Sequence, residues 1–579
     1  MKTLLGWVAT FRRICRCWPK AGRNHPQNRI APAQQISAIV NKPVLSVSFF
    51  LLLPPLAAWA YTTISLGQAG PESIKYNGVE YARPGGCQAA TISFGGAPSS
   101  AGQFRTNISG DTVIRNYKWG SIRCHYSVSG DEIKIDVYVA NTTQNPIHEV
   151  TMGLATLDMP MPAKEGGRIT NTKLNLEGPD ILALSRGNTT LLVANEEVGR
   201  LEYLRFQQGP RGSIFIILDT LFQAMLPARR VTVQENQLRP MVVARPIPTG
   251  QSDHYSVALA FLHGGESPRS VLGDLFDRVA ARFPPTLSWP DRRPIGQLML
   301  SSHGRSSPFD PRNPRYWRFR PSADVTSPAG RAEFETWLLT EADKTVKILK
   351  QMNAQGVIVW DIDGQQYPHP ISYGGEPRRI PPEMQGVVDK LFKRFTDAGL
   401  RCGVNAGGRR FSIAADGRAS QDFIDDPNGM FQMIDEKIRY VEKRWGCTLF
   451  YIDAPGGPRW PADASVFRRL AANHPNALLS PEHTTIIDYA WIAGIWDTRN
   501  GPSPSSEARW VYPRAFSIIT TSAMSLGRGS TTWQDLVQNV RDGDVLMFAS
   551  WVSTPQSQAV AQIYQDALGP DWREAAVRR

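Results

Sequence analysis

The hydrophobic rhythm of the chain changes near residue 266. From about residue 62 to 265 the period is two. In IKIDVYVAN, Ile133, Ile135, Val137 and Val139 alternate with Lys134, Asp136 and Tyr138, the pattern of a strand buried on one face. SIFIILD (213–219) and HYSVALAF (254–261) are further strand candidates, separated by clusters of Gly, Asn and Pro. No convincing long amphipathic helix occurs here. The region 61–265 reads as an antiparallel β-sandwich.

The period then becomes helical. In SVLGDLFDRVAARFPP, Val271, Leu272, Leu275, Phe276, Val279 and Phe283 share one face, and Pro284-Pro285 stops the helix. Residues 266–291 are expected to form a connector bracing two domains.

Beyond it, helices and short apolar runs alternate. IGQLMLSS (295–302) is a strand, and a helix over about 331–353 carries Phe334, Leu338, Ala342, Val346 and Leu349. VIVWDID (357–363) follows. A helix marked by Val388, Leu391, Phe392, Phe395 and Ala398 leads into RCGVNAGG (401–408). A third, marked by Met430, Ile434, Ile438, Val441 and Trp445, leads into CTLFYID (447–453). The three helices are expected to stop at Gly356, Gly399 and Gly446, glycine being the residue that takes a left-handed cap without strain. ALLSPEH (477–483), AGIWDTR (493–499), VLMFASW (545–551) and a helix near 555–568 continue the series. Repeated helix–strand alternation implies a parallel sheet. The length of 292–579 suits one (β/α)₈ TIM-type barrel. A doubly wound open sheet is the alternative, but no G-x-G-x-x-G follows a strand.

Charge changes the picture mainly at the N-terminus. The net charge is +12, yet residues 1–42 hold eight Lys or Arg and no Asp or Glu, which leaves a surplus of only four elsewhere. No nucleic-acid footprint is expected from the remainder. The basic stretch runs into VLSVSFFLLLPPLAAWA (44–60), apolar, uncharged and closing on Ala58-Trp59-Ala60. Residues 1–60 therefore read as an export signal cut after Ala60. The alternative is an uncleaved anchor with its basic end inside, and only then would the protein be held at a membrane. Either way the bulk of the chain is expected to be periplasmic or secreted.

Six cysteines are spread thinly. Cys87 and Cys124 lie in the β-rich region and could pair in an oxidising compartment. Cys402 and Cys447 each open a core strand and are expected to be buried thiols, or to meet across neighbouring strands. No C-x-x-C, H-x-H or H-E-x-x-H occurs, so no metal site and no cofactor is expected.

In barrels of this kind the chemistry sits at the C-terminal ends of the strands. Those ends carry Ser301, Ser302 and His303; Trp360, Asp361 and Asp363; Asn405, Arg409 and Arg410; Asp453; Glu482 and His483; Trp496, Asp497 and Arg499; and Trp551. Paired carboxylates with tryptophan platforms are what glycoside hydrolysis requires: one carboxylate attacks or activates water and the other protonates the leaving oxygen. Each residue also has a structural reading. Asp453 before Ala-Pro-Gly could cap a turn. Glu482 could cap a helix, Asp497 could pair with Arg499, and Trp360 and Trp496 could be barrel core.

The motifs VIVWDIDG, DAGLRCGVN, LFYIDAPGG and LLSPEH, on a sandwich-plus-barrel plan, resemble (β/α)₈ glycoside hydrolases. They are broadly similar to the assembly of α-galactosidases, α-glucosidases and endo-α-N-acetylgalactosaminidases. The resemblance implies a nucleophile at the end of the fourth strand, where Asp453 stands. It implies an acid/base at Glu482 on the fifth strand or Asp497 on the sixth, of which we favour Glu482. Asp361 and Asp363 resemble the pair that holds sugar hydroxyls. Trp360, Asn405, Arg409, His303, His483, Trp496 and Trp551 complete the expected sugar site. The arginine that starch-processing relatives carry two residues before the nucleophile is replaced by Tyr451. The expected function is an exported glycoside hydrolase acting on an oligosaccharide or polysaccharide. The alternative is a catalytically inactive carbohydrate-binding or envelope glycan assembly protein on the same scaffold. An esterase or deacetylase ranks last, as no G-x-S-x-G occurs.

Overall fold

The computed structural model describes residues 61–577 except 84–88, 160–180, 199–202, 210–211, 221–230, 235–236, 241–245, 302–309, 319–323, 366–374, 414–418, 423, 425, 454, 456–463, 483, 498–502, 504, 522–531 and 549–553. The expected leader and the expected pairing of Cys124 with Cys87 lie outside the described residues. No helix among the described residues is long and apolar enough to cross a membrane.

The N-terminal part is antiparallel. A seven-stranded sheet runs in spatial order through Ile181–Arg186, Thr189–Asn195, Ser252–His263, Glu132–Asn141, Gly120–Ser129, Thr112–Tyr117 and Arg105–Ser109. A five-stranded sheet runs through Leu204–Gln208, Ile214–Asp219, Glu149–Leu157, Thr91–Ser93 and Ser99–Ser100. Ile133, Ile135 and Val137 of the first meet Val150, Met152 and Ile216 of the second in one core.

One strand carries the link to the rest of the chain. Ser252–His263 is buried along most of its length, without alternation. Tyr255, Val257, Leu259 and Phe261 face the sandwich core. Ala258, Ala260 and Leu262 point the other way, into the core shared with the barrel. The small alanines let the connector helix Arg269–Arg282 lie close, burying Leu272, Leu275, Phe276 and Val279. Each such side chain contributes about 1.5–3 kcal/mol on full burial. Polar contacts fix the helix against the barrel. Arg269 donates to the Trp510 carbonyl at 2.6 Å, and Tyr512 donates to the Phe283 carbonyl at 3.1 Å.

Eight parallel strands follow: β1 (Ile295–Met299), β2 (Gly356–Trp360), β3 (Arg401–Asn405), β4 (Leu449–Ile452), β5 (Leu478–Pro481), β6 (Ile495–Asp497), β7 (Ile518–Thr521) and β8 (Val545–Phe548). Neighbours in sequence are neighbours in space, and β8 pairs with β1. That order is a barrel and excludes the doubly wound sheet, in which the strand order would reverse. β5 and β6 are not paired as strands, but the Ala493 amide donates to the Leu479 carbonyl at 3.0 Å and nearly closes the seam.

The sequence named seven of these strands and missed β7. Its apolar core is only Ile518-Ile519, flanked by Ser and Thr, too short to show a period. The expected glycine stops hold twice: Gly399 and Gly446 have φ of 73° and 65°. The helix Pro328–Gln351 instead turns at Asn353, with φ of 55°, before Gly356 opens β2. Asparagine tolerates that conformation through its short polar side chain.

Cys402 and Cys447 are buried thiols without a disulfide. Burial pushes the Cys402 thiol up to about 12 and Cys447 well above its usual range, so both are inert.

Gly403 in β3 tests how tightly the barrel wall is packed. A Cβ there would stand 1.9 Å from the Leu449 carbonyl oxygen of β4. Gly403→Ala is expected to lower unfolding stability in urea by about 1–3 kcal/mol through overpacking. Gly446→Ala, whose Cβ would meet nothing within 4 Å, is expected to cost only the left-handed conformation, about 1 kcal/mol. Equal losses would contradict the packing described for the wall.

Candidate active site

Strand alternation decides which side chains reach the barrel mouth. Met299, Ile358, Trp360, Leu449, Tyr451, Leu478, Ile495, Ile518 and Met547 fill the barrel interior. Leu298, Val359, Val404, Ile452, Leu479 and Leu546 face the helices. Two residues on from an interior position, the chain places Ser301 above Met299, Asp453 above Tyr451, and Glu482 two beyond Ser480. Asn405 ends β3 between the helix-facing Val404 and the loop. The mouth therefore draws its polar groups from successive strands, as the sequence leads one to expect.

Asp453 and Glu482 end adjacent strands, and the Glu482 amide donates to the Ile452 carbonyl at 3.1 Å. Asp453 is raised well above the ordinary carboxylate range, first by burial, then by the charge of Glu482; Arg409 opposes the rise and Asp361 adds to it. Part of Asp453 reaches solvent, but its carboxyl is enclosed by these neighbours. Glu482 also accepts from Tyr451 Oη at 2.6 Å. The Tyr451 ring stands edge-on to Trp360, with centroids 4.7 Å apart. A tyrosine two residues before Asp453 thus ties the floor of the mouth to Glu482.

The acids of the second strand lie deeper. Asp361 accepts from Ser301 Oγ at 2.5 Å, and Ser301 in turn accepts from Gln365 Nε2 at 3.0 Å. Asp361 has φ of 60°, a strained conformation for a buried non-glycine residue. Tyr316, in the facing loop, is held similarly at 55°, and the Gln365 amide donates to the adjacent Arg315 carbonyl at 3.1 Å. Backbone strain is concentrated at the loops that follow β1 and β2. Asp363 is pushed up to about 8, by burial first and then by Asp361. Its Oδ2 accepts from the Glu376 amide at 3.4 Å.

Asn405 is 3% exposed, and neither its amide nitrogen nor its amide oxygen has a hydrogen-bond partner among the described residues. Ser480 Oγ, one strand position below Glu482, is in the same state. A buried polar group left so costs about 1–3 kcal/mol.

Not every expected residue reaches the mouth as anticipated. Trp360 is 2% exposed and belongs to the barrel interior, so it is a floor and offers no open face. Trp496 packs against the helix-facing core, because alternation turns 496 outward where Ile495 turns inward. Asp497 ends β6 opposite Thr520 in the register; its side chain lies outside the description. His303, His483 and Trp551 lie outside the described residues.

Sequence reasoning missed a supporting ion cluster. Glu376 is clamped by Arg378 at 2.6 and 2.9 Å and stands 3.7 Å from Lys437 Nζ. Burial acts to raise Glu376, but Arg378 and Lys437 outweigh it and hold the carboxyl below its usual range. Lys437 was legible in one respect: it interrupts the apolar face marked by Met430, Met433, Ile434, Ile438 and Val441. Among the described residues no cluster of three or more His, Cys, Asp or Glu could hold a metal ion.

No protein-family model matches this sequence, and no curated protein matches it. Solved structures similar in chain path include an α-N-acetylgalactosaminidase from Bifidobacterium bifidum, 11% identical, covering 89% of this chain and 92% of that one with a TM-score of 0.49. An α-galactosidase from Lactobacillus brevis is 10% identical, with coverage of 88% and 75% and a TM-score of 0.41. A sulfoquinovosidase from E. rectale is 8% identical, with coverage of 89% and 80% and a TM-score of 0.42. At these identities and TM-scores the functional reading stands on the geometry of the mouth.

The raised acids make stability depend on pH in a definite direction. Between pH 3.8 and about 8 the folded chain keeps an Asp363 proton that the unfolded chain has lost. Stability therefore falls as pH rises through that window, at most ~1.4 kcal/mol per pH unit for one proton. Asp363→Asn removes this proton uptake, so its plot of unfolding free energy against pH is expected to be flatter than wild type. An unchanged slope would show that Asp363 is ordinary.

Proposed function

We propose that the barrel mouth hydrolyses a glycosidic bond, with Asp453 as the nucleophile. The observation that carries this reading is the placement of Asp453 and Glu482 at the C-terminal ends of adjacent barrel strands, with Tyr451 Oη donating to Glu482 and the Asp453 carboxyl raised by burial and by Glu482. Glycoside hydrolysis needs a carboxylate nucleophile and a second, protonated carboxyl across the bond that is cleaved. The buried amide of Asn405 and the hydroxyl of Ser480 match the hydroxyl groups of a sugar, which both donate and accept.

The closeness of the two acids also bears on their roles. A retaining pair stands about 5–5.5 Å apart and an inverting pair farther, to leave room for the sugar or for water. Asp453 and Glu482 end adjacent strands, closer together than strand ends farther round the barrel, and Glu482 already accepts from Tyr451 Oη at 2.6 Å. We therefore assign the leaving-group proton to Asp497 at the end of β6, reversing the order of preference drawn from the sequence. Glu482 is assigned as the partner that keeps Asp453 neutral until substrate separates them. Glu482 then acts through Asp453, as a positioning residue. The basic, apolar N-terminus ending in A-x-A supports work outside the cytoplasm.

A second reading, a catalytically silent carbohydrate-binding protein, is favoured by one feature: a carboxyl raised well above its ordinary range is a poorer nucleophile near neutral pH. Turnover separates the two. Asp453→Asn is expected to abolish hydrolysis across a panel of aryl glycosides while sugar binding persists. Asp497→Asn is expected to slow substrates with poor leaving groups far more than activated ones. Glu482→Gln removes a charge that raises Asp453, so the acid limb of kcat/KM is expected to move to lower pH. Leaving-group dependence in Glu482→Gln, and none in Asp497→Asn, would return the acid role to Glu482. No wild-type turnover of any glycoside, with sugar binding retained, would establish the silent reading.

A further inference from the structure

Lys437 has no exposed surface, on a helix whose other inward residues are apolar except for Asp435. Burying an ammonium costs several kcal/mol, and a hydrophobic residue of similar volume would often serve stability better. Burial indeed depresses its pKa, opposed by Glu376 and Asp363 and aided by Arg378. Its bonds are directed at the mouth. Nζ donates to the Gly407 carbonyl at 2.8 Å and to the Arg409 carbonyl at 3.2 Å, and faces Glu376 at 3.7 Å.

The loop it grips is stitched to the catalytic strand. The Ala406 amide donates to the Tyr451 carbonyl at 2.8 Å, and the Gly408 amide to the Asp453 carbonyl at 2.8 Å. The Gly407 amide donates to the Gly375 carbonyl at 3.1 Å, joining the loops that follow β2 and β3. Gly408 leaves no slack, because a Cβ there would stand 2.5 Å from Pro455 Cα. Arg409, at the end of this loop, is the cation that opposes the rise of Asp453.

We propose that Lys437 is a positioning residue of the barrel mouth: by holding the Gly407 and Arg409 carbonyls against Glu376, it fixes Arg409 beside Asp453. Its partners on the facing elements are Glu376, Arg378 and Asp363; those of Asp453 are Glu482, Arg409 and Asp361. Its consequence for turnover rests on the hydrolase reading, but its effect on Asp453 does not.

The test compares wild type with Lys437→Met in the full chain, following the Asp453 carboxyl by ¹³C NMR as pH is varied. Loosening Arg409 is expected to move the Asp453 midpoint up by about one unit, the lower end of what a nearby opposite charge contributes. With activated aryl glycosides, kcat is expected to fall about a hundredfold, as misplacement by about 1 Å can do, with the acid limb moved to higher pH. Lys437→Arg, which keeps the cation, is expected to return the midpoint toward wild type. If Lys437→Met does not fold, Lys437→Gln, which keeps a donor without the charge, carries the same measurement. A folded variant whose Asp453 midpoint matches wild type would overturn the proposal. A shifted midpoint with no glycoside turned over by either protein would support the positioning role and remove the hydrolase reading.

Discussion

Two neighbouring acids in a partly buried site are the constraint around which the barrel mouth is arranged. Like charges brought close together in a poorly hydrated site resist ionising together, and burial and Glu482 raise the Asp453 carboxyl. Asp361 adds to the pressure on Asp453, and Arg409 relieves it. Glu482 is fixed from its other side by Tyr451. The chemistry available at the mouth follows from how these opposing fields balance.

Holding that balance requires rigid support, and the fold supplies it at a cost in local comfort. Asp361 and Tyr316 keep positive φ values. Lys437 keeps an amine in a helix face that is mostly apolar. Asn405 keeps an amide without a partner among the described residues. Such features persist in a folded chain only where the surroundings over-determine them, and they cluster where function resides. Here they fall on the loops after β1, β2 and β3 and on the helix beneath them. The sandwich is joined to the barrel through the doubly buried strand Ser252–His263 and the connector helix.

The barrel was legible because its physics is local: apolar periods, left-handed helix stops at Gly399 and Gly446, and acids just past short apolar runs. Asp453 and Glu482 could be named from position alone. Their closeness could not, since a contact between strands depends on register and side-chain reach that no period encodes. Trp360 and Trp496 were read as platforms because tryptophan suits sugars, but alternation sends one into the barrel and the other toward the helices. β7 escaped because two isoleucines carry no period. Lys437 and Glu376 stand 3.7 Å apart across a long stretch of chain, and only the interruption of an apolar helix face hinted at the first of them.

The protonation of Asp453 and Glu482 is open to direct observation. A neutron structure of the deuterium-exchanged protein near neutral pD would show it. The account predicts one deuteron between Asp453 and Glu482, and a second on the Tyr451 hydroxyl pointing at Glu482. Two carboxylates without a deuteron between them, turned apart, would contradict it.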